Sequence, residues 1–134
     1  MGGIKKPLVA LLIADDREMR QAIIEGRKQI TIREGYRRYD PGMTVMLCCH
    51  LEPWAVQADI TNVRHCLLSE VTQAEWEADG FQSRDEMLAG MQSFYPTMTW
   101  DSAVTLISWK NVRGKLVDDW AELRKYTQGA LTYE

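Results

Sequence analysis

No apolar run in this chain reaches the roughly 18 residues a membrane-spanning helix needs, so a helical membrane protein is not expected. The one early apolar stretch, Leu8 to Ala14, is short. Asp15 and Asp16 follow it at once in place of a small-residue cleavage site, so it does not read as a signal peptide. Cysteine is scarce: three residues, two of them adjacent, make no disulfide framework. A reducing cytoplasm is the expected compartment. Positive charge is also short, with 16 Lys and Arg against 19 Asp and Glu. The net charge of -3 argues against a general polyanion binder. Internal repeats and low-complexity segments are missing too.

What is there fits one domain of 134 residues with 46% apolar content, enough for a core without staples. The charge is unevenly placed. Arg27, Lys28, Arg33, Arg37 and Arg38 face only Glu34 between Gly26 and Arg38, while acids gather from Glu70 to Glu86 and in the tail. A small positive mouth on an acidic body suits one phosphate or nucleotide better than a long duplex.

Pro7 to Ile13 reads as a buried strand and Asp16 to Glu25 as an amphipathic helix, with Met19, Ala22 and Ile23 at helical spacing. Gly26 is its expected stop. Gln29 to Arg33 alternates as a strand, Asp40-Pro41-Gly42 is a turn, and Met43 to Cys49 is a further strand. Ala55 to Leu68 is one long or bent strand, or a hairpin pair. Thr72 with Glu75, and Ser83 with Glu86, have capping-box spacing and open two helices. Met87, Leu88, Met91, Phe94 and Tyr95 are expected on one buried face of the second. Val104 to Trp109 is the last strand, Gly114 a break, and Val117 to Tyr126 a C-terminal helix. The fold class is α+β, with a small, partly closed barrel as the sheet form.

Within Gln29 to Arg33, period two sends Ile30 and Ile32 to the core and aligns Gln29, Thr31 and Arg33 on the other face. Lys28 falls on the side away from Thr31. The two meet only if the chain bends after Gly26. Lysine beside a hydroxyl is a base beside a nucleophile; otherwise Lys28 and Arg33 bind a phosphate or are solvated. Cys48-Cys49-His50 and His65-Cys66 alternate across their strands and lack zinc spacing, so no metal is expected. Trp54 and Trp100 are the better base-stacking candidates among the tryptophans, whereas Trp109 and Trp120 suit the core. Tyr36, Arg37, Arg38 and Tyr39 form an aromatic and cationic loop able to cover a nucleotide.

Gly26-Arg27-Lys28-Gln29-Ile30-Thr31-Ile32-Arg33 resembles the signature of the ASCH superfamily, a relative of PUA domains, in which a Gly-x-Lys-x-x-Thr-x-Arg stretch follows a helix and opens a strand. The resemblance covers roughly residues 7–112, leaving an extension at about 115–128 outside it. It implies a PUA-like mixed barrel with flanking helices and an extra C-terminal helix. It implies RNA or nucleoside partners, no cofactor, and a monomer or small homo-oligomer. Small members resembling this chain hydrolyse the acetyl amide of N4-acetylcytidine. On that model Lys28, Thr31 and a helical carboxylate are catalytic: Glu77 first, then Asp79, with Glu75 and Glu70 behind. Arg33, Arg27, Tyr36, Arg37, Trp54 and Asp79 would hold substrate. A non-catalytic RNA-binding or modified-base-reading module is the alternative, and a ribonuclease a further one.

Overall fold

A computed structural model describes residues 9–13, 17–49 and 54–117. Strand β1 is Val9–Leu12, helix α1 Arg17–Ile24, β2 Ile30–Glu34, β3 Thr44–Cys49 and β4 Trp54–Leu67. A 3-10 turn at Leu68–Glu70 leads to α2, Gln73–Ala78, α3, Arg84–Phe94, and β5, Ala103–Val117. The expected α+β order holds through β5. The expected C-terminal helix lies outside the described residues beyond Val117. Its first positions, 115–117, are strand instead.

The five strands form one mixed sheet in the order β1-β3-β4-β5-β2. Only β1 and β3 run parallel. The sheet curls until its two edges approach, and Arg33 on β2 donates to the Leu12 carbonyl on β1 at 2.5 Å. That bond spans the seam of a half-closed barrel.

The long ribbon of β4 and β5 makes the curl. Its register shifts between Ala55 and Gln57, Gln57 and Asp59, and Ile60 and Asn62. Such irregularities bend a strand and raise its twist. Gly114 was expected to end β5. Instead Gly114 at φ 67° and Asn111 at φ 59° sit inside the strand where it bends. Asp59 pins this bend: its carboxylate accepts from Asn111 Nδ2 at 2.9 Å, Arg113 Nη2 at 3.0 Å and Thr44 Oγ1 at 3.0 Å. These donors, Asn111 first, lower its pKa from 3.8 to about 2.

The core has two main parts. Leu11, Ile13, Ile23, Leu47, Ile60 and Trp109 pack under α1. Ile30, Ile32, Trp76, Met87, Met91 and Leu106 pack under α2 and α3. Strand alternation divides β2 as expected, since Ile32 opposes Leu106 and Thr31 opposes Ile107. The α2 capping box is complete: Thr72 Oγ1 accepts from the Glu75 N–H at 3.2 Å, and Glu75 Oε1 from the Thr72 N–H at 2.8 Å. At α3, Ser83 Oγ accepts from the Glu86 N–H at 3.0 Å, while Glu86 itself takes the Gln82 N–H at 3.0 Å.

Glu75 also receives a two-bond guanidinium fork from Arg64, at 2.8 Å each, which holds it below 4.5. For both acids the folded pKa lies below the unfolded one. Their stabilisation is therefore complete above the unfolded value and lost as pH falls through the folded one. Asp59→Asn is expected to flatten the acid unfolding curve between pH 3.8 and about 2, read by circular dichroism against the parent.

Candidate functional site

The end of α1 sets the site. Gly26 adopts φ 79°; its N–H bonds the Ile23 carbonyl at 3.1 Å and the Arg27 N–H bonds the Ala22 carbonyl at 2.8 Å. This is a Schellman closure around a left-handed glycine. The Lys28 N–H reaches Ala22 as well, at 3.1 Å. The bend after Gly26 therefore exists. It takes Lys28 towards α2, where Nζ pairs with the Asp79 carboxylate and lies 3.3 Å from the Asp79 carbonyl. No hydrogen bond joins Lys28 to Thr31 among the described residues.

Both partners of the ion pair are buried, with 9% and 10% of their side-chain surfaces exposed. Burial pushes the Asp79 carboxyl up, while Lys28 and Arg33 pull it down. A carboxylate that burial makes easier to protonate, beside a cavity, is a recurrent mark of functional sites.

The cavity holds about 510 Å³, in the size range of small-molecule sites. Lys28, Thr31, Arg33 and Asp79 are its polar centre, with Glu86 and Ser93 further out. Leu12, Ile13, Phe81, Met91 and Phe94 supply apolar wall. Thr31 is buried, and its Oγ1 accepts from Arg33 Nε at 3.2 Å. That bond occupies an oxygen lone pair and leaves the hydroxyl proton free to be given up.

Three comparisons bear on this arrangement. No family model matches the chain, and no curated protein matches it. Among solved structures, ASCH from Zymomonas mobilis superposes with TM-score 0.61 at 10% identity, covering 88% of this chain and 76% of that one. Protein EF3133 from Enterococcus faecalis V583 gives 0.62 at 15% identity, covering 81% of each. The ASCH domain from Lactobacillus crispatus gives 0.55 at 16%, covering 78% and 79%. The fold is that of the ASCH domain.

On this ASCH fold the expected site residues separate. Lys28, Thr31, Arg33 and Asp79 come together at the seam. Glu77, the first choice of acid, does not join them: it is exposed and takes a hydrogen bond from Gln73 at 2.8 Å. Asp79, the second choice, is at the cavity because it caps the C-terminus of α2 directly above Lys28. Glu75 is held by Arg64, and Glu70 Oε1 takes the Leu67 N–H at 2.8 Å. Arg27 is exposed and paired with Glu25 at 2.7 Å. Tyr36 and Arg37 stand away from the cavity. Tyr36 is 74% exposed and stacks on His65 at 4.0 Å, and Arg37 turns its Nε to the Glu34 carbonyl at 2.8 Å. The Trp54 side chain lies outside the described part. Trp100 is covered by the Arg84 guanidinium at 4.7 Å, and Trp76 and Trp109 are core.

The sequence reading missed Phe81, Glu86 and Phe94 as cavity walls. Phe94 was expected in the core, but is 65% exposed at the cavity rim. Gly90 marks a tolerance of this wall. A Cβ there would lie 2.6 Å from Phe81 Cε1. In Gly90→Ala the methyl forces the Phe81 ring, itself a cavity wall, to shift, while helix propensity improves by about 1 kcal/mol. Weaker ligand binding with an almost unchanged Tm is expected, by titration calorimetry and thermal melts.

Proposed function

We propose that this chain is an ASCH-domain amidohydrolase acting on an N4-acylated cytidine, free or within RNA. The observation that carries the reading is the buried Lys28–Asp79 pair facing the same nucleoside-sized cavity as the Arg33-held Thr31 hydroxyl. The resemblance of Gly26 to Arg33 to the ASCH signature assigns the same lysine and threonine.

In the proposed reaction Lys28 passes its proton to Asp79, whose carboxyl is pushed up by burial, and becomes an amine base. The lysine stem swings across the cavity and takes the Thr31 hydroxyl proton as Oγ1 attacks the acyl carbon. Arg33 steadies the forming alkoxide. The C–N4 bond then breaks and the cytidine nitrogen takes a proton from Asp79. Water hydrolyses the threonine ester and releases the carboxylic acid. Incubation with N4-acetylcytidine is expected to yield cytidine by chromatography. The absence of cytidine after prolonged incubation would refute the reaction.

A second reading, a non-catalytic reader of a modified base or RNA, draws on the exposed Tyr36–His65 stack with Arg37 and Arg38 beside it. It expects salt-sensitive RNA binding, weakened in Arg37→Ala, without product.

A further inference from the structure

We infer that the free edge of β2 reads the ligand directly, through the peptide N–H and C=O of Ile32. This deepens the nucleoside reading above and rests on it.

The register decides which main-chain groups are free. The Trp109 N–H bonds the Gln29 carbonyl at 2.9 Å, and the Gly35 N–H bonds the Ala103 carbonyl at 2.8 Å. With Thr31 opposite Ile107 and Arg33 opposite Thr105, the odd residues of β2 turn their peptide groups to β5. Ile30 and Ile32 turn theirs outward. β2 is the last strand of the sheet, so no strand meets them among the described residues.

The cavity lies on this outward side. Thr31 and Arg33 project from one face of β2 and Ile32 from the other, yet all three line the same cavity. Residues of opposite parity share a cavity only where it passes round the strand edge. Ile30 does not line it; Ile32 does. Ile32 is 4% exposed, and its peptide groups have no hydrogen-bond partner among the described residues. Buried peptide groups are almost always paired with protein, water or ligand, so a ligand seated at this edge gains main-chain hydrogen bonds in place of water. The other edge, β1, is an arginine side chain away, as the Arg33 to Leu12 bond shows.

A donor and an acceptor side by side suit the base edge of a cytosine. Ile32 N–H donates to N3, and the N4–H donates to the Ile32 carbonyl. The ring then lies across the edge of β2, at the cavity that Thr31, Lys28 and Asp79 all border.

The test is a binding cycle with cytidine and 3-deazacytidine, which lacks the N3 acceptor. The protein partner is changed by replacing residue 32 with the α-hydroxy acid counterpart of isoleucine, which removes the N–H and weakens the Thr31 carbonyl as an acceptor towards β5 equally for both ligands. Ile32→Pro is the second form, tolerated because this N–H is outside the ladder. Ile32→Val keeps both peptide groups and reports what the side chain alone contributes. Loss of the N–H is expected to weaken cytidine about tenfold by calorimetry and to leave 3-deazacytidine unchanged. Equal effects on the two ligands, or none on either, would overturn the edge reading while leaving the nucleoside site standing. If the unaltered protein binds neither N4-acetylcytidine nor cytidine, the reading beneath it falls as well.

Discussion

Lys28→Met is expected to destabilise the folded protein by about 3–5 kcal/mol at neutral pH, the cost of leaving a buried partner charge unpaired. The partner left behind is Asp79, enclosed beneath the end of α2. Burial already pushes the Asp79 carboxyl up. Losing Lys28 removes a force that held it down, so the carboxyl is protonated more readily in the folded variant than in the unfolded chain. A raised folded pKa contributes stability at low pH that is lost as pH rises through it. The loss in Lys28→Met should therefore be greatest at alkaline pH and shrink towards acid, as read by urea titration across pH. Lys28→Met combined with Asp79→Leu fills the same space without charge. It should recover stability to within about 1 kcal/mol of the parent, because well-packed apolar replacements of buried ion pairs are often neutral. It should recover no turnover. That split separates a structural pair from a chemical one, which neither single variant can do.

Thr31→Val is expected to lower turnover of N4-acetylcytidine by roughly 10³-fold or more, as removal of a nucleophile does. Valine matches threonine in shape and suits the strand, and water can replace the hydroxyl at the partly exposed Arg33, so melting should barely change. Thr31→Ser keeps the hydroxyl and should keep part of the rate. Equal rates for the valine and serine variants would remove Thr31 from the chemistry and leave it as a strand residue beside the pair.

Much of this arrangement is local, and so legible in the chain. The α1 stop at Gly26, the division of Ile30 and Ile32 from Thr31, and the Thr72 capping box each depend on residues within one turn or one strand. The choice between Glu77 and Asp79 is not local. Asp79 stands past the last helical residue of α2, where periodicity no longer aims a side chain, and its partner is 51 residues away. Phe94 misled for a related reason. Its spacing from Met87 and Met91 is that of the buried face, but it is the last residue of α3 and overhangs the seam. Gly114 read as a breaker, because a glycine free to take left-handed backbone usually ends a strand. In β5 it serves the bend that lets one ribbon close a half-barrel. The seam joins the ends of a five-strand order in which sequence neighbours β1 and β2 are farthest apart across the sheet. Nothing in strand alternation reports that order.

The most direct measurement is the rate of acetate release from N4-acetylcytidine labelled with carbon-13 in the acetyl carbonyl, followed by NMR for the parent protein and for Thr31→Val. Conversion of the amide signal to acetate by the parent, and its persistence with the valine variant, is the expected result. An amide signal unchanged by the parent, or lost equally fast with Thr31→Val, would contradict the assignment of catalysis to the seam of the ASCH fold.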